Sequence, residues 1–202
     1  SSMRMKSGMK HSIVASSSGS LGFITFAPSF QYDEFMGFTE LSKSLYYDIE
    51  GNLYEEVDTL VRVMTDRDWS ATISANTRFY GMFTFSEKRR LRVLRHVLSP
   101  SISMSYTPER SRSQVAVLND ESLSWNPWEL NRFSPIDLRE SGAVNFSLIQ
   151  NLEAKVFDTK LEKVKKVKIL DSFSSSMSYN LLADSLQLSD ITSRGFTSLF
   201  NK

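Results

Sequence analysis

Three observations predict an all-β fold for this chain of 202 residues: an antiparallel transmembrane β-barrel segment of about seven strands. Apolar and polar residues alternate with a period of two over five separate stretches. Serine, 34 residues in all, is interleaved with 14 Phe, 7 Tyr and 3 Trp, whereas disordered tails are serine-rich but poor in aromatics. No run of about 18 apolar residues occurs, so no transmembrane helix is expected; alternating strands cross a bilayer without building such a run.

The strands follow in chain order. A weakly patterned strand is expected at 9–17. In 21–33 the even positions Gly22, Ile24, Phe26, Pro28, Phe30 and Tyr32 oppose Thr25, Ala27, Ser29, Gln31 and Asp33. The cleanest alternation runs over 69–85, where Trp69, Ala71, Ile73, Ala75, Phe79, Phe83 and Phe85 oppose Ser70, Thr72, Ser74, Asn76, Arg78 and Thr84. Over 94–107, His96, Leu98, Pro100, Ile102, Met104 and Tyr106 face away from Ser99, Ser101, Ser103 and Ser105. In 144–156, Val144, Phe146, Leu148, Leu152, Ala154 and Val156 oppose Asn145, Ser147, Asn151, Glu153 and Lys155. In 167–181, Val167, Ile169, Phe173, Met177 and Tyr179 oppose Lys168, Ser172, Ser174, Ser176 and Ser178, and a last weak strand is expected at 188–201. Each is about as long as the roughly 9–11 residues a tilted strand needs to cross a bilayer.

The connections sort by length. Short turns are expected at about 18–20, 86–92 and 158–166, and long loops at about 34–66 and 108–141. Tight turns on one side and long loops on the other are the habit of outer-membrane barrels, with the turns periplasmic and the loops outside. Charge sorts the same way: 86–95 and 160–168 each net +4, while 34–66 nets −6. The overall charge of +1 conceals this split and gives no support to a nucleic-acid partner. Aromatics recur near strand ends (Tyr32, Phe35, Trp69, Phe83, Phe85, Tyr106, Tyr179), as a girdle at the membrane interface requires. A soluble β-sandwich or adhesin-like sheet shares the alternation. The polar positions, however, are serine, asparagine and threonine rather than the lysine and glutamate of a solvated surface.

Seven strands do not close a bacterial barrel, whose strand number is even and at least about eight, and open edges cannot face hydrocarbon. Residues 1–202 are therefore expected to be part of one larger barrel domain, an excerpt of a longer chain; the opening Ser1-Ser2-Met3 is no natural start.

Little in the sequence points to catalysis or metal binding. There is no cysteine, and the two histidines, His11 and His96, lie far apart. No Gly-rich phosphate loop, nucleophile elbow or HExxH helix occurs, so no enzyme, catalytic residue, metal site or cofactor is expected. His96, beside a basic turn, reads as structural. Asp48, Glu50, Glu55, Glu56 and Asp58 offer oxygen ligands but lack EF-hand spacing and read as a solvated loop. Pro100 stands where a ladder donor is expected and predicts a structural bend. Arg78, Arg95, Glu153 and Lys155 fall on the polar face, which in a barrel is the lumen, where water tolerates charge. The basic turns hold Lys88, Arg89, Arg90 and Arg92 and, in the second, Lys163, Lys165 and Lys166, placed to anchor at anionic head groups of the membrane lipids.

Two stretches go beyond pattern. Arg92-Val-Leu-Arg95-His96-Val-Leu-Ser99-Pro100-Ser-Ile-Ser-Met-Ser-Tyr106-Thr-Pro108, preceded by Tyr80-Gly81-Met-Phe-Thr-Phe85, resembles the core signature of the LPS-assembly protein LptD family in its Bacteroidetes-type form. So does Gln150-Asn-Leu-Glu153-Ala-Lys155-Val with Lys166-Val-Lys-Ile-Leu-Asp171-Ser-Phe173 and Ser178-Tyr179-Asn180-Leu-Leu-Ala-Asp184-Ser185; Phe26-Ala-Pro28-Ser-Phe30-Gln-Tyr32 also fits. The resemblance implies a Gram-negative outer-membrane translocon that assembles lipopolysaccharide (LPS) into the outer leaflet through its lumen and by lateral release. It also implies an LptE-like lipoprotein plug, and a periplasmic Lpt bridge reached through an N-terminal jellyroll that the chain lacks. Arg78, Arg95, Glu153 and Lys155 would then face LPS or the plug. Another large outer-membrane barrel, such as a porin, a TonB-dependent transporter or a secretion translocon, remains the alternative to this reading, as does the soluble β-sandwich.

Overall fold

The structure, a computed structural model, describes residues 6–159 and 162–198. The opening Ser1-Ser2-Met3, Lys160 of the second basic turn and the end of the strand expected at 188–201 lie outside them. Among the described residues there are strands and no helices: β1 (Met9–Ser16), β2 (Gly19–Leu21), β3 (Ile24–Tyr47), β4 (Leu53–Thr77), β5 (Phe79–Thr84), β6 (Leu91–Thr107), β7 (Gln114–Leu118), β8 (Glu121–Trp125), β9 (Ser141–Asp158), β10 (Lys163–Asn180) and β11 (Thr192–Phe196). The principal sheet runs β1-β3-β4-β6-β9-β10-β11, with β2 paired to β3 and β5 to β6, while β7 and β8 form a separate hairpin. Its seven principal strands are those the alternation predicts.

The register keeps the faces apart. Phe79 pairs with Leu98, Gly81 with His96 and Phe83 with Leu94; on the other face Met82 pairs with Arg95 and Thr84 with Val93. Partners directly opposite share a face, so the parity read from the sequence carries across strands. Between β9 and β10, Met177 meets Phe146 and Tyr179 meets Val144, while Ser178 meets Asn145 and Ser176 meets Ser147. Two register shifts separate Lys168 from Leu170 and Leu170 from Phe173. A single extra residue would turn every later side chain to the wrong face. Two restore the alternation, and Ile169-Leu170-Asp171 is where the period-2 pattern stutters.

Several boundaries differ from expectation. The segment 34–66 is no loop: β3 continues to Tyr47 and β4 starts at Leu53. Only a turn joins them, in which Asp48 Oδ1 accepts the N–H groups of Glu50 and Asn52 at 2.9 and 2.8 Å and Gly51 takes φ +83°. Toward the tip of this hairpin, from Leu53 and Glu55 to Val57 and Asp58, both faces are exposed and burial does not sort the residues, whereas nearer its base Phe35, Leu41 and Met64 are buried. The connection 108–141 is long but holds the β7–β8 hairpin. Turn 18–20 gives way to β2, with the reversal at Gly22 and Phe23. The other two turns shrink to the residues between Thr84 and Leu91 and between Asp158 and Lys163, because ladder pairing runs almost to the reversal. Arg92, Lys163, Lys165 and Lys166 therefore stand on strands. The expected strand 69–85 is split at Arg78, and β6 runs unbroken through Pro100. The irregularity expected at Pro100 falls on the neighbouring strand instead. Continuing the β5–β6 register would set Pro100, which has no N–H to give, opposite Thr77, the last residue of β4. The last strand is short, Thr192–Phe196.

Contacts divide the chain into two compact units. One takes in residues through Ala15, Phe30–Ala71 and Tyr106–Ser141; the other takes in Ser16–Ser29, Thr72–Ser105 and residues from Gly142 onward. The first holds a small buried cluster of Phe35, Met64 and Trp128. Phe35, expected in the aromatic girdle, is thus internal. The stacked Phe30 and Trp69, ring centroids 6.0 Å apart, and Tyr106, 5.7 Å from Trp69, keep a girdle-like arrangement. Several apolar positions of the second unit are uncovered: Ile73, Phe79, Phe83, Ile102 and Met104 are exposed, while Phe146, Leu148 and Met177 on the same parity are half-buried, as are Ser101, Ser103 and Ser105 on the polar one. Water-facing sheets do the reverse.

Candidate functional site

In the second unit the polar face of β5, β6, β9 and β10 carries a connected strip of charge. Arg78, in the break between β4 and β5, donates from Nη1 to the Tyr80 hydroxyl at 3.5 Å. The Arg95 guanidinium lies over the Tyr80 ring, 5.6 Å from its centroid. Arg95 Nη1 is 3.7 Å from Glu153 Oε2, and the same oxygen is 2.9 Å from Lys166 Nζ. Strand geometry explains the sequence of contacts: Lys166 pairs with Lys155 and Lys168 with Glu153, so these side chains rise from one face within two residues of each other. Lys168 completes the strip with Asp171 at 3.3 Å. A cleft lined by Arg95, Val97, Asn151, Glu153, Lys168, Leu170 and Asp171 opens beside it, and a second cleft brings Arg78 and Pro100 together with Phe23, Asn76 and Tyr80.

Of the four polar-face candidates, the structure thus joins Arg78, Arg95 and Glu153 through contacts and sets Lys155 directly beside them in register. Tyr80, Lys168 and Asp171 complete the strip; parity alone puts Lys168 on this face, but the sequence does not single out any of the three as a site residue. Tyr80 was legible as an aromatic on polar parity, two residues from Arg78. Lys166, expected in a turn, belongs to this face. Lys163 and Lys165 have the other parity, with Val156 opposite Lys165.

The two basic reversals lie against one another. The Phe157 N–H donates to the Arg90 carbonyl at 2.7 Å, Arg90 Nη2 to Thr159 Oγ1 at 3.4 Å, and Arg92 sits over the Phe157 ring at 5.1 Å. Lys88 and Arg89 are exposed in the first of them. His96 is 3.2 Å from the Gln150 side-chain oxygen, a structural cross-strand contact.

The first unit carries a different use of arginine. The segment 108–141 lies on residues of β3 and β4, and Arg112, whose side chain is 3% exposed, binds Asp66 and Asp68 and the Ile136 carbonyl. Asp66 and Asp68 are two apart and so share one face of β4. The Asp137 carboxylate accepts from the Ser113 hydroxyl at 2.5 Å and from the N–H groups of Arg112 and Ser113 at 2.6 and 3.1 Å. Those bonds, the Ser113 hydroxyl first and the Arg112 N–H next, hold the Asp137 carboxyl below the usual carboxylate range. Asn131 accepts from the N–H groups of Phe38 and Thr39 at 2.9 and 3.2 Å and returns a bond to the Thr39 carbonyl at 2.5 Å. Trp125 donates to the Leu41 carbonyl at 2.9 Å. Gly37 makes the approach possible, since a Cβ there would lie 2.9 Å from Trp128 and Asn131. At the far turn, the Asn52 N–H and side-chain amide lower the Asp48 carboxyl in the same way. Its oxygens are thereby engaged, and no group of three or more Asp, Glu or His side chains among the described residues is placed to hold a metal.

An antiparallel sheet with uncovered apolar side chains on one parity and a charge strip on the other belongs to the class of membrane β-barrel walls. The family model described as LptD protein matches residues 1–202, and the chain belongs to that family. The family acts in LPS transport and assembly at the outer membrane and is not an enzyme family. LPS and the Lpt system are accordingly its partners in general. Comparisons with curated proteins and with solved structures return no match.

Proposed function

We propose that this chain forms part of the wall of an LPS translocon in the outer membrane of a Gram-negative cell. LPS passes through the lumen and leaves laterally into the outer leaflet. The strip Arg78-Tyr80-Arg95-Glu153-Lys166, open on the polar face opposite an uncovered apolar face, carries the reading. Sugars and phosphates travel in water along the polar face while acyl chains stay with the lipid. The strip would also serve as the contact for an LptE-like lipoprotein plug. Among the described residues, β1 and β11 each have one ladder partner in the principal sheet. Their free edges need the remainder of the same barrel, because an unpaired edge is not tolerated in hydrocarbon. A periplasmic Lpt bridge docking through a jellyroll elsewhere in the protein supplies the LPS and the energy. Lys88, Arg89, Arg90, Arg92, Lys163 and Lys165 hold the lower rim at the lipid head groups.

Photoreactive residues in place of Ser74 and Ser176, on the polar face, test the reading in cells. LPS adducts are expected at both positions, and the variant Arg78→Glu with Lys155→Glu should weaken them while the barrel keeps its heat-modifiable migration. Unchanged adducts in that variant would remove these two residues from the path. No adduct in the parent protein would remove the face.

A further inference from the structure

We propose that Lys155 and Lys166 are a phosphate-binding pair that takes a sugar-linked phosphomonoester, an inference that rests on the polar face being the path of LPS. The two lysines are direct Cα partners across β9 and β10 and both are exposed. Directly opposite side chains start about 4.5–5.5 Å apart, and like charges in that position are destabilising. Nothing in the ladder requires two lysines there; a site for an anion between them does.

The surrounding charges leave that anion missing. Glu153 is shared between Arg95 and Lys166, and Asp171 is taken by Lys168. Among these groups, Arg95, Lys155, Lys166 and Lys168 outnumber the two carboxylates Glu153 and Asp171, leaving an excess of two positive charges. No hydrogen bond or ion pair engages Lys155 among the described residues. A phosphomonoester brings about −1.5 to −2 charges and three strong acceptor oxygens. A phosphodiester such as a glycerophospholipid linkage brings only one charge and balances the excess less well. Two flexible ammonium groups on facing strands can close on one phosphate from either side. The Lys166–Glu153 contact is then the resting arrangement, which the ligand loosens.

The test uses the complete protein with its accessory subunits in detergent, carrying a photoreactive residue in place of Val97, which lines the cleft beside Glu153 and Lys168. The probes are LPS and the same LPS with its phosphates enzymatically removed. Cross-linking to intact LPS is expected to exceed that to the dephosphorylated form about tenfold, in keeping with charge-assisted hydrogen bonds. Lys155→Ala with Lys166→Ala should abolish that preference, Lys155→Arg with Lys166→Arg should keep it, and the charge-matched Lys43→Ala on β3 with Arg110→Ala in segment 108–141, both in the first unit, should leave it alone. Heat-modifiable migration establishes that each variant is folded. Equal cross-linking of both probes to the parent protein would overturn the phosphate site while leaving the lumen path standing; no cross-linking of either probe would overturn both. Inorganic phosphate at the LPS concentration is expected to compete poorly, and full competition would assign the site to free phosphate and overturn the sugar-linked ligand.

Discussion

The two units use arginine in opposite ways. Arg112 of the first is enclosed, its side chain 3% exposed and held by Asp66, Asp68 and the Ile136 carbonyl. Arg95 of the second is 49% exposed, rests on the Tyr80 ring and stands 3.7 Å from a carboxylate it shares with Lys166. Enclosure makes the first arginine a fastener for segment 108–141, because Asp66 and Asp68 would lose their counter-charge and the Ile136 carbonyl a donor if it went. Openness makes the second available to something that is not part of the chain. The same residue type thus serves architecture on a loop in one place and, on a strand, is free for a ligand in the other. Solvent access decides between them.

The most severe way to break this comparison is to truncate both arginines. Arg112→Ala leaves two carboxylates on β4 facing a covered site, and removing one partner of a buried ion pair costs about 3–5 kcal/mol. Arg95→Ala removes one exposed, shared pair, which is worth about 0–1 kcal/mol. Limited proteolysis should therefore open 108–141 in the Arg112 variant and leave the Arg95 variant intact. Equal protection in the two would show that Trp128 and Asn131 suffice to hold the segment.

Next in size is a contrast within the second unit. Phe79 is exposed on the apolar parity, and Ser74 donates to the Ala27 carbonyl from the polar one. If residue 79 lies near the bilayer midplane, Phe79→Arg should cost about 2–4 kcal/mol of insertion while Ser74→Arg costs far less. Folding into lipid vesicles, followed by denaturant titration, measures both. Equal tolerance would end the assignment of the apolar parity to lipid.

These two contrasts also separate what the order of residues carries from what only the fold brings together. Phe79 and Ser74 were assigned to opposite faces from parity alone, since alternation in a strand needs only the chain's own order of side chains. The seven principal strands and the polar-face positions of Arg78, Arg95, Glu153 and Lys155 follow from the same rule. Arg112 was not legible: its partners Asp66 and Asp68 are 46 and 44 residues away, and no local period connects a loop to the strand it lies on. The only hint was the Asp-Arg-Asp triplet at 66–68, two carboxylates on one face. The hairpin over 34–66 was missed for another reason. Its turn, Asp48-Ile-Glu50-Gly51-Asn52, has strand-forming Leu45-Tyr-Tyr47 before it and Leu53-Tyr54 after it. That turn signal outweighs the missing alternation, which is absent at the tip because both faces there are exposed.

The smallest expected effect concerns how the enclosed unit responds to acid. The Asp137 carboxyl is held below the usual carboxylate range by the Ser113 hydroxyl and by the backbone N–H groups beside Arg112. A carboxyl lowered in the folded state contributes stability that is fully present above its unfolded value and disappears as pH falls through its folded value. Loosening of the turn at Arg112 and Ser113 is therefore expected only below the ordinary carboxylate range, with nothing changing between neutral pH and that point. Amide hydrogen exchange at residues 112 and 113, corrected for the intrinsic rate at each pH, should rise in that acid window in the parent protein. In Asp137→Asn it should be raised already at neutral pH and show no further step on acidification. The charge strip of the second unit has no equivalent enclosure, and Asp137→Asn should leave LPS adducts at its polar face unchanged. If those adducts also fell, the enclosed segment would be coupled to the path, and the division of labour between the two arginines would fail.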